Sequence, residues 1–312
     1  MPWIAMGAFF VLCLFFIATY YPFRRTFGCG ERERREDPVQ FMREVAGTKE
    51  YEGHASSIAL ANSVPFERIF IRSKDGLRLS ARYYEGEKGA PVVIFFHGYR
   101  SHSVHDGCGL HALMRERGYH ILLCDQRGHG ESEGRALSFG ALEREDARLF
   151  AEYANARFPG APIFLSGISM GAATVLMAAS LPLPKAVVGI LADCPYSSAK
   201  EIIMRVMQRM GLPAKAVYPA VRLGARLFGG FDPSTADAVA SVRQKTPPIL
   251  IVHGKADDFV PAEMSERIAA ASENCKLVLV DGADHGKSYT VAPALYRETL
   301  YAFLDGCLSV SS

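Results

Sequence analysis

A serine, an acid and a histidine occur in this chain in an order and a setting suited to acyl transfer. Ser169 stands in Gly167-Ile168-Ser169-Met170-Gly171, directly after the apolar run Ile163-Phe164-Leu165 and before the Ala-rich stretch "AATVLMAAS". A serine on a sharp strand-to-helix turn is presented at the turn, and glycines on either side relieve crowding there. The helix N-terminus favours negative charge developing on its hydroxyl. His285 follows the run "KLVLVDG" in "DGADHGKSY", and Asp257 follows "PPILIVHG" with Asp258 as its neighbour and rival. His285 is then the expected base for Ser169, and Asp257 the expected carboxylate that orients the imidazole and stabilises its cation. An oxyanion needs two backbone N–H donors. The expected ones are Met170, the residue after the nucleophile, and Tyr99 in the loop His97-Gly98-Tyr99-Arg100 that follows "PVVIFF". His97 is left with a structural part. Such a site needs no cofactor.

The elements that must position these residues alternate along the chain. "ERIFIRS" and "LRLSARYYE" alternate apolar and polar residues around Asp75-Gly76, which predicts a hairpin. "PVVIFF", "YHILLCD", "PIFLSG", "AVVGILADC", "PPILIVHG" and "KLVLVDG" are short apolar runs of the kind found in buried parallel strands. Helical stretches lie between them, among them "LHALMRERG" and "ALEREDARLFAEYANAR", and a last helix is expected near Ala292–Phe303. The pattern predicts an α/β fold with a mostly parallel, doubly wound sheet and an antiparallel N-terminal hairpin. In such a sheet, sites form at the carboxyl ends of strands, where Ser169, Asp257 and His285 all fall.

From about Glu67 to Leu308 the chain resembles the α/β-hydrolase superfamily. The resemblance rests on "HGY", "DQRGHGESEG", "GISMG" and the pair "HGKADDFVP" and "GADH", in that order. The family spacing G-x-x-D-x-x-V-P favours Asp257 over Asp258, because Gly254 lies three residues before it and Pro261 four after. Asp193, at a strand end where some members keep their acid, ranks second and reads as loop structure. The segment Asp125–Ser132 resembles a structural turn of the family, which leaves His129 and Ser132 without a chemical role. Ser169 sets the chain apart from members that use Asp or Cys. The chain looks most similar to membrane-anchored bacterial serine hydrolases of the serine aminopeptidase and monoacylglycerol-lipase-like branch. That resemblance implies a mechanism and no particular substrate.

Length and composition allow one large α/β domain and an extra segment: 312 residues, 49% of them hydrophobic, with a formal net charge of +2. That charge is no signature of nucleic-acid binding. The seven cysteines are scattered without a C-x-x-C, which reads as free thiols in a reducing compartment and not as a disulfide framework or metal site. Trp3–Phe23 carries no charge, and as a helix it would reach about 31 Å, near the hydrocarbon thickness of a bilayer. Pro22 is expected to help stop it. Residues 1–23 are thus expected to be a transmembrane anchor. Arg24, Arg25, Arg32, Arg34 and Arg35 just after it predict a single-pass cell-membrane protein with a cytoplasmic catalytic domain. Residues 24–65 then form a juxtamembrane linker with a short helix over "PVQFMREVAG", and residues 66–312 the hydrolase domain. Within that domain, residues from about 198 to 240 read as a helical cap insert. Its stripe Ile203, Val206, Met207 and Met210 would make an adaptable wall for an acyl chain. Over Lys200–Phe231, Lys200, Arg205, Arg209, Lys215, Arg222 and Arg226 stand against Glu201 alone, which would suit anionic headgroups. The expected partners are a small acyl substrate and the membrane. The expected activity is hydrolysis of a carboxylic ester, lipid-like or acyl, through an acyl-enzyme; the alternatives are a serine aminopeptidase or amidase, an acyltransferase, and a non-catalytic membrane-tethered scaffold.

Overall fold

Short runs in which almost every side chain is apolar cannot face water on either side, so five of the six stack as the centre of one sheet and the sixth, Cys275–Val280, forms its edge. The computed structural model of the chain describes residues 2–30 and 49–311. In chain order the elements are α1 (Pro2–Phe27), α2 (Lys49–Ser63), β1 (Glu67–Arg72), β2 (Arg78–Tyr84), β3 (Val92–Phe96), α3 (Ser103–Glu116), β4 (His120–Cys124), α4 (Glu143–Arg157), β5 (Ile163–Ile168), α5 (Met170–Ala178) and β6 (Val187–Asp193). There follow α6 (Ala199–Arg209), α7 (Ala214–Gly224), α8 (Ala238–Ser241), β7 (Ile249–Gly254), α9 (Ala262–Ala270), β8 (Cys275–Val280), α10 (Ser288–Val291) and α11 (Pro293–Ser311). The strands form one sheet in the order β1-β2-β4-β3-β5-β6-β7-β8. β1–β2 and β2–β4 are antiparallel and the remaining pairs parallel. The sequence-based strands are all present, and the hairpin turns where expected. Gly76 takes φ +87° there, and the Ser73 hydroxyl donates to Asp75 Oδ1 at 2.6 Å.

Helices cover both faces of the sheet, giving two cores. One holds α4, α5, α9 and the segment between β6 and β7, with Phe150, Leu176 and Ile268 fully buried. The other holds α2, α3 and α11, with Leu113, Phe164 and Leu304 buried. α2 lies in the stretch read from sequence as linker. Its Ile58 and Ala61 pack into the second core. The expected short helix over Pro38–Gly47 lies outside the described residues.

The N-terminal expectation is corrected. Among the described residues, no helix is long and apolar enough to cross a membrane. The reading of residues 1–23 as a single-pass anchor, with a cytoplasmic catalytic domain behind it, is overturned by that finding. α1 does not stop at Pro22 but runs to Phe27, and one side of its second half packs on the rest of the protein. Thr19, Phe23 and Phe27 are buried. The Phe228 ring packs on Phe16, Tyr20 and Phe23 with centroids 5.1–5.8 Å away. Gly224 allows α7 to meet α1 closely, since a Cβ there would sit 2.4 Å from the Thr19 carbonyl oxygen. Beyond the helix, Leu137 N–H donates to Phe27 O at 2.9 Å and Cys29 N–H to Arg135 O at 2.8 Å, stitching the chain to the loop before α4.

The segment between β6 and β7 is helical, as expected, but two expectations for it change. Ile203 and Met207 are buried, whereas Met210 is exposed because α6 ends at Arg209 and Met210 caps it. The basic residues are also largely spent. Arg222 and Arg226 both pair with Asp232, and Arg209 pairs with Asp258. Arg205 donates to the Phe259 and Asp258 carbonyls.

Candidate active site

Ser169 sits between β5 and α5 with φ +52° and ψ −111°, a backbone conformation that non-glycine residues rarely adopt. The flanking glycines explain how the turn closes. A Cβ on Gly171 would lie 1.9 Å from the Phe96 carbonyl oxygen, and one on Gly167 would lie 2.3 Å from the Gly171 carbonyl carbon. The Ser169 N–H donates to the Asp193 carbonyl at 2.8 Å, tying the turn to the end of β6.

The structure brings Ser169, His285 and Asp257 into one hydrogen-bonded chain. His285 Nε2 lies 3.0 Å from Ser169 Oγ, and His285 Nδ1 lies 2.6 Å from Asp257 Oδ2. A carboxylate only accepts, so Nδ1 carries the proton and Nε2 is left to accept from the serine hydroxyl. Asp257 Oδ1 accepts from the Phe259 and Val260 N–H groups at 3.0 and 2.8 Å. Burial pushes the Asp257 pKa up. The hydrogen bonds of His253 and His285, the His285 charge and the Val260 N–H outweigh that and hold it well below the usual carboxylate range. Asp258 is 75% exposed on its side chain and pairs with Arg209.

Two contributors were not legible in the sequence. His253, at the end of β7, is fully buried and donates Nε2–H to Asp257 Oδ2 (3.1 Å) and Val260 O (2.8 Å), while Nδ1 accepts from Ser265 Oγ at 2.6 Å. It fixes the side of Asp257 that His285 does not touch. Its only sequence signal is a histidine ending an apolar strand. Asp106, in the first turn of α3, accepts from the Gly98 N–H at 2.7 Å and the Ser101 hydroxyl at 2.6 Å, so it grips the loop on both sides of Tyr99.

That loop passes directly against the serine, since a Cβ on Gly98 would lie 3.5 Å from Ser169 Cβ. Tyr99 follows Gly98 and its hydroxyl donates to Thr26 O at 3.1 Å. Met170 is the first residue of α5, where an amide has no acceptor within the helix. His97 is buried beneath the loop. Its Nε2 accepts from the Gln126 N–H at 3.0 Å and its Nδ1–H donates to Gly98 O at 2.8 Å. Burial, with His129 beside it, pulls its pKa down to about 3, so it is a neutral strut. His129 and Ser132 lie in the turn below. Ser132 donates to Asp125 O at 2.7 Å and accepts from the Ser80 N–H at 2.8 Å.

A cavity of about 600 Å³ opens at Ser169 and His285. Its walls come from the sheet and from α3, α10 and α11, and no residue between 199 and 240 lines it. The stripe of the insert therefore makes no acyl wall: Ile203 and Met207 build core, and Met210 faces solvent. Asp193, which the sequence ranked behind Asp257, lines this cavity instead of facing His285 as the closer acid. Among the described residues, Cys194, Asp257 and His285 are grouped with potential metal-ligand atoms within 4.8 Å of one another. Burial pushes the Cys194 thiol well above its ordinary pKa, and the other two are engaged with each other, so the set is poorly suited to a cation.

Burial also pushes Asp193 up to about 6 from an ordinary 3.8, against a hydrogen bond from Tyr296 and the nearby His253 and His285. A carboxyl whose folded pKa is raised favours the fold while neutral and opposes it once ionised. Wild-type stability should therefore fall as pH rises from about 4 to about 6. Asp193→Asn should match wild type near pH 4 and exceed it near pH 8 by about 1–3 kcal/mol. Urea unfolding at the two pH values checks this, and equal differences at both would sink it.

The geometry has parallels among known proteins. A family model described as "Serine aminopeptidase, S33" matches residues 87–228, and one described as "TAP-like protein" matches residues 230–306. The uncharacterized protein Rv2307c of Mycobacterium tuberculosis is 30% identical over 244 residues, covering 76% of this chain and 78% of that protein. YqkD of Bacillus subtilis is 28% identical over 217 residues, covering 69% and 71%. Among solved structures, the Pyrococcus furiosus esterase Pf2001 is similar with a TM-score of 0.64 at 22% identity, covering 79% of this chain and 94% of that one. Est1E from Butyrivibrio proteoclasticus, solved with ferulic acid bound, is similar with a TM-score of 0.60 at 22% identity, covering 77% and 99%. With a strand-to-helix serine turn, an eight-stranded mostly parallel sheet and these relatives, the chain belongs to the α/β-hydrolase superfamily.

Proposed function

We propose that the protein is a serine esterase that hydrolyses a small carboxylic ester through an acyl-enzyme. His285 takes the Ser169 proton as Oγ attacks the ester carbonyl, and Asp257 stabilises the resulting imidazolium. The Tyr99 and Met170 N–H groups receive the oxyanion. Losing one such donor typically costs about 2.7–4 kcal/mol of barrier. His285 then gives its proton to the departing alcohol and activates the water that releases the acid. The observation that carries this reading is the Ser169–His285–Asp257 hydrogen-bonded chain at the mouth of a largely apolar cavity. The esterase neighbours agree with it in fold.

The test is labelling with a fluorophosphonate probe. Wild type should label and Ser169→Ala, checked for folding, should not. A folded wild type that stays unlabelled would refute an activated serine and favour a binding protein on the same fold. Amide hydrolysis and transfer to an alcohol use the same acyl-enzyme, so aminoacyl amides and added alcohols run beside an ester panel separate those activities.

A further inference from the structure

The cavity that opens at Ser169 reaches inward over one face of the sheet. Strand register sets that wall. Phe95, Ser166, Leu191 and Leu250 stand in one row across β3, β5, β6 and β7. Leu113 of α3 and Leu300 of α11 line the same space. Leu113 and Leu250 are each only 1% exposed, so little of the space extends past them. Walls of this composition take a hydrocarbon chain, with a few polar groups to fix its orientation.

Ser166 is the polar member of this row. Side chains alternate along β5, with Leu165 in the core on one face of the sheet and Phe164 in the core on the other. Ser166 therefore points the way Phe164 does, onto the face that the cavity borders. The residue is 5% exposed. Its hydroxyl has no hydrogen-bond partner among the described residues, and packing leaves it open to the cavity instead of sealing it off. A plain hydrocarbon chain entering here would strip the hydroxyl of water and return nothing, at the cost of a lost hydrogen bond. An occupant with an oxygen at that depth removes the cost. Buried donors are left unpaired less often than buried lone pairs, so the group called for is an acceptor.

The occupant is the acyl group. In the acyl-enzyme the acyl carbon stays bonded to Ser169 Oγ, while the alcohol takes a proton from His285 and departs. His285 is the triad member open to solvent, with 24% of its side chain exposed. The alcohol side thus faces outward and the inner cavity is left to the acyl chain. We propose, building on the esterase reading, that the substrate's acyl chain carries an acceptor oxygen, as a ketone or a hydroxyl, and that the Ser166 hydroxyl donates a hydrogen bond to it. Ser166 precedes Ser169 by three residues, about 10 Å of extended chain. The oxygen then belongs roughly six to eight carbons from the ester carbonyl.

The experiment compares kcat/KM for p-nitrophenyl esters of straight-chain acids of one length, unsubstituted and with a ketone moved along the chain. Full-length wild type, Ser166→Ala and Ser166→Cys are assayed, with fluorophosphonate labelling in parallel. Each oxo ester is scored against the unsubstituted ester in the same protein, so a partly folded preparation does not alter the ratio. Wild type should prefer one ketone position over the unsubstituted ester by about tenfold. Ser166→Ala should lose that preference, the unsubstituted ester gaining and the oxo ester losing. Ser166→Cys, whose thiol is a weak donor, should retain little of it. A labelled wild type with no ketone preference overturns the inference and leaves the esterase reading standing. So does a preference that survives undiminished in either variant. Absence of labelling in wild type overturns both.

Discussion

Asp257→Asn is expected to lower kcat about ten-thousand-fold without unfolding the protein, a loss of roughly 5.5 kcal/mol in transition-state stabilisation. The structure leaves the new amide one orientation. Oδ1 accepts from two backbone N–H groups, at Phe259 and Val260, so the amide oxygen must take that place. The NH₂ group is then turned toward His285 Nδ1 and His253 Nε2, both of which donate to the carboxylate in wild type. His285 can answer only by moving its proton to Nε2. That nitrogen then points a hydrogen at Ser169 Oγ and can no longer take the serine proton. Asp258→Asn is the control and should leave kcat near wild type, because Asp258 is exposed and paired with Arg209. Steady-state ester hydrolysis measures both. A loss of less than about tenfold in Asp257→Asn would mean that Asp257 does not orient the base.

The second large effect concerns the turn beneath the site. Arg127→Met is expected to destabilise the fold by about 3–5 kcal/mol. Arg127 is buried against Asp146, also buried, with Nε–Oδ2 and Nη2–Oδ1 both at 2.8 Å. A third bond, Nη1 to Asp75 Oδ2 at 3.0 Å, ties the hairpin turn to α4. Removing the guanidinium leaves the Asp146 carboxylate buried without its counter-charge, and that carboxyl then takes up a proton. The deficit relative to wild type should therefore shrink as pH falls, since the neutral acid needs no partner. The double variant Arg127→Met with Asp146→Leu should recover most of the loss, because a buried pair replaced by apolar groups of similar size is often neutral. Urea midpoints at constant slope decide it. A single variant as stable as wild type would show that the pair contributes nothing net. The turn also matters to the site, because the adjacent Gln126 holds His97, and His97 holds the backbone just before Tyr99.

The sequence by itself determined the strands, because continuous apolar runs such as Val92–Phe96 and Ile249–Gly254 have no alternative to burial on both faces. It also determined the serine turn. Gly167 and Gly171 are legible as glycines, and what they avoid is a collision within a few residues and with the neighbouring strand. Asp257 and His285 were readable as loop residues after strands, since parallel order brings the ends of β7 and β8 beside β6 and β5.

Only the tertiary structure decided the rest, wherever the outcome depends on a partner far along the chain. Residues 1–23 are apolar enough to suggest an anchor. What α1 does with Phe23 and Phe27 depends on Phe228 and Phe231, some two hundred residues on. The insert's charge looked unopposed until Asp232 and Asp258 were seen to receive its arginines. His253 and Asp106 carry no motif; their roles exist only because folding sets one against Asp257 and the other against Gly98. Asp193 changed most. Along the chain it is one more strand-end acid, and in the folded protein it is a buried carboxyl on the wall of a cavity that the apolar pattern of the sequence does not reveal. Local pattern fixes which face of an element is apolar. Where two such faces leave space between them, and which polar atom is caught there, follows from packing alone.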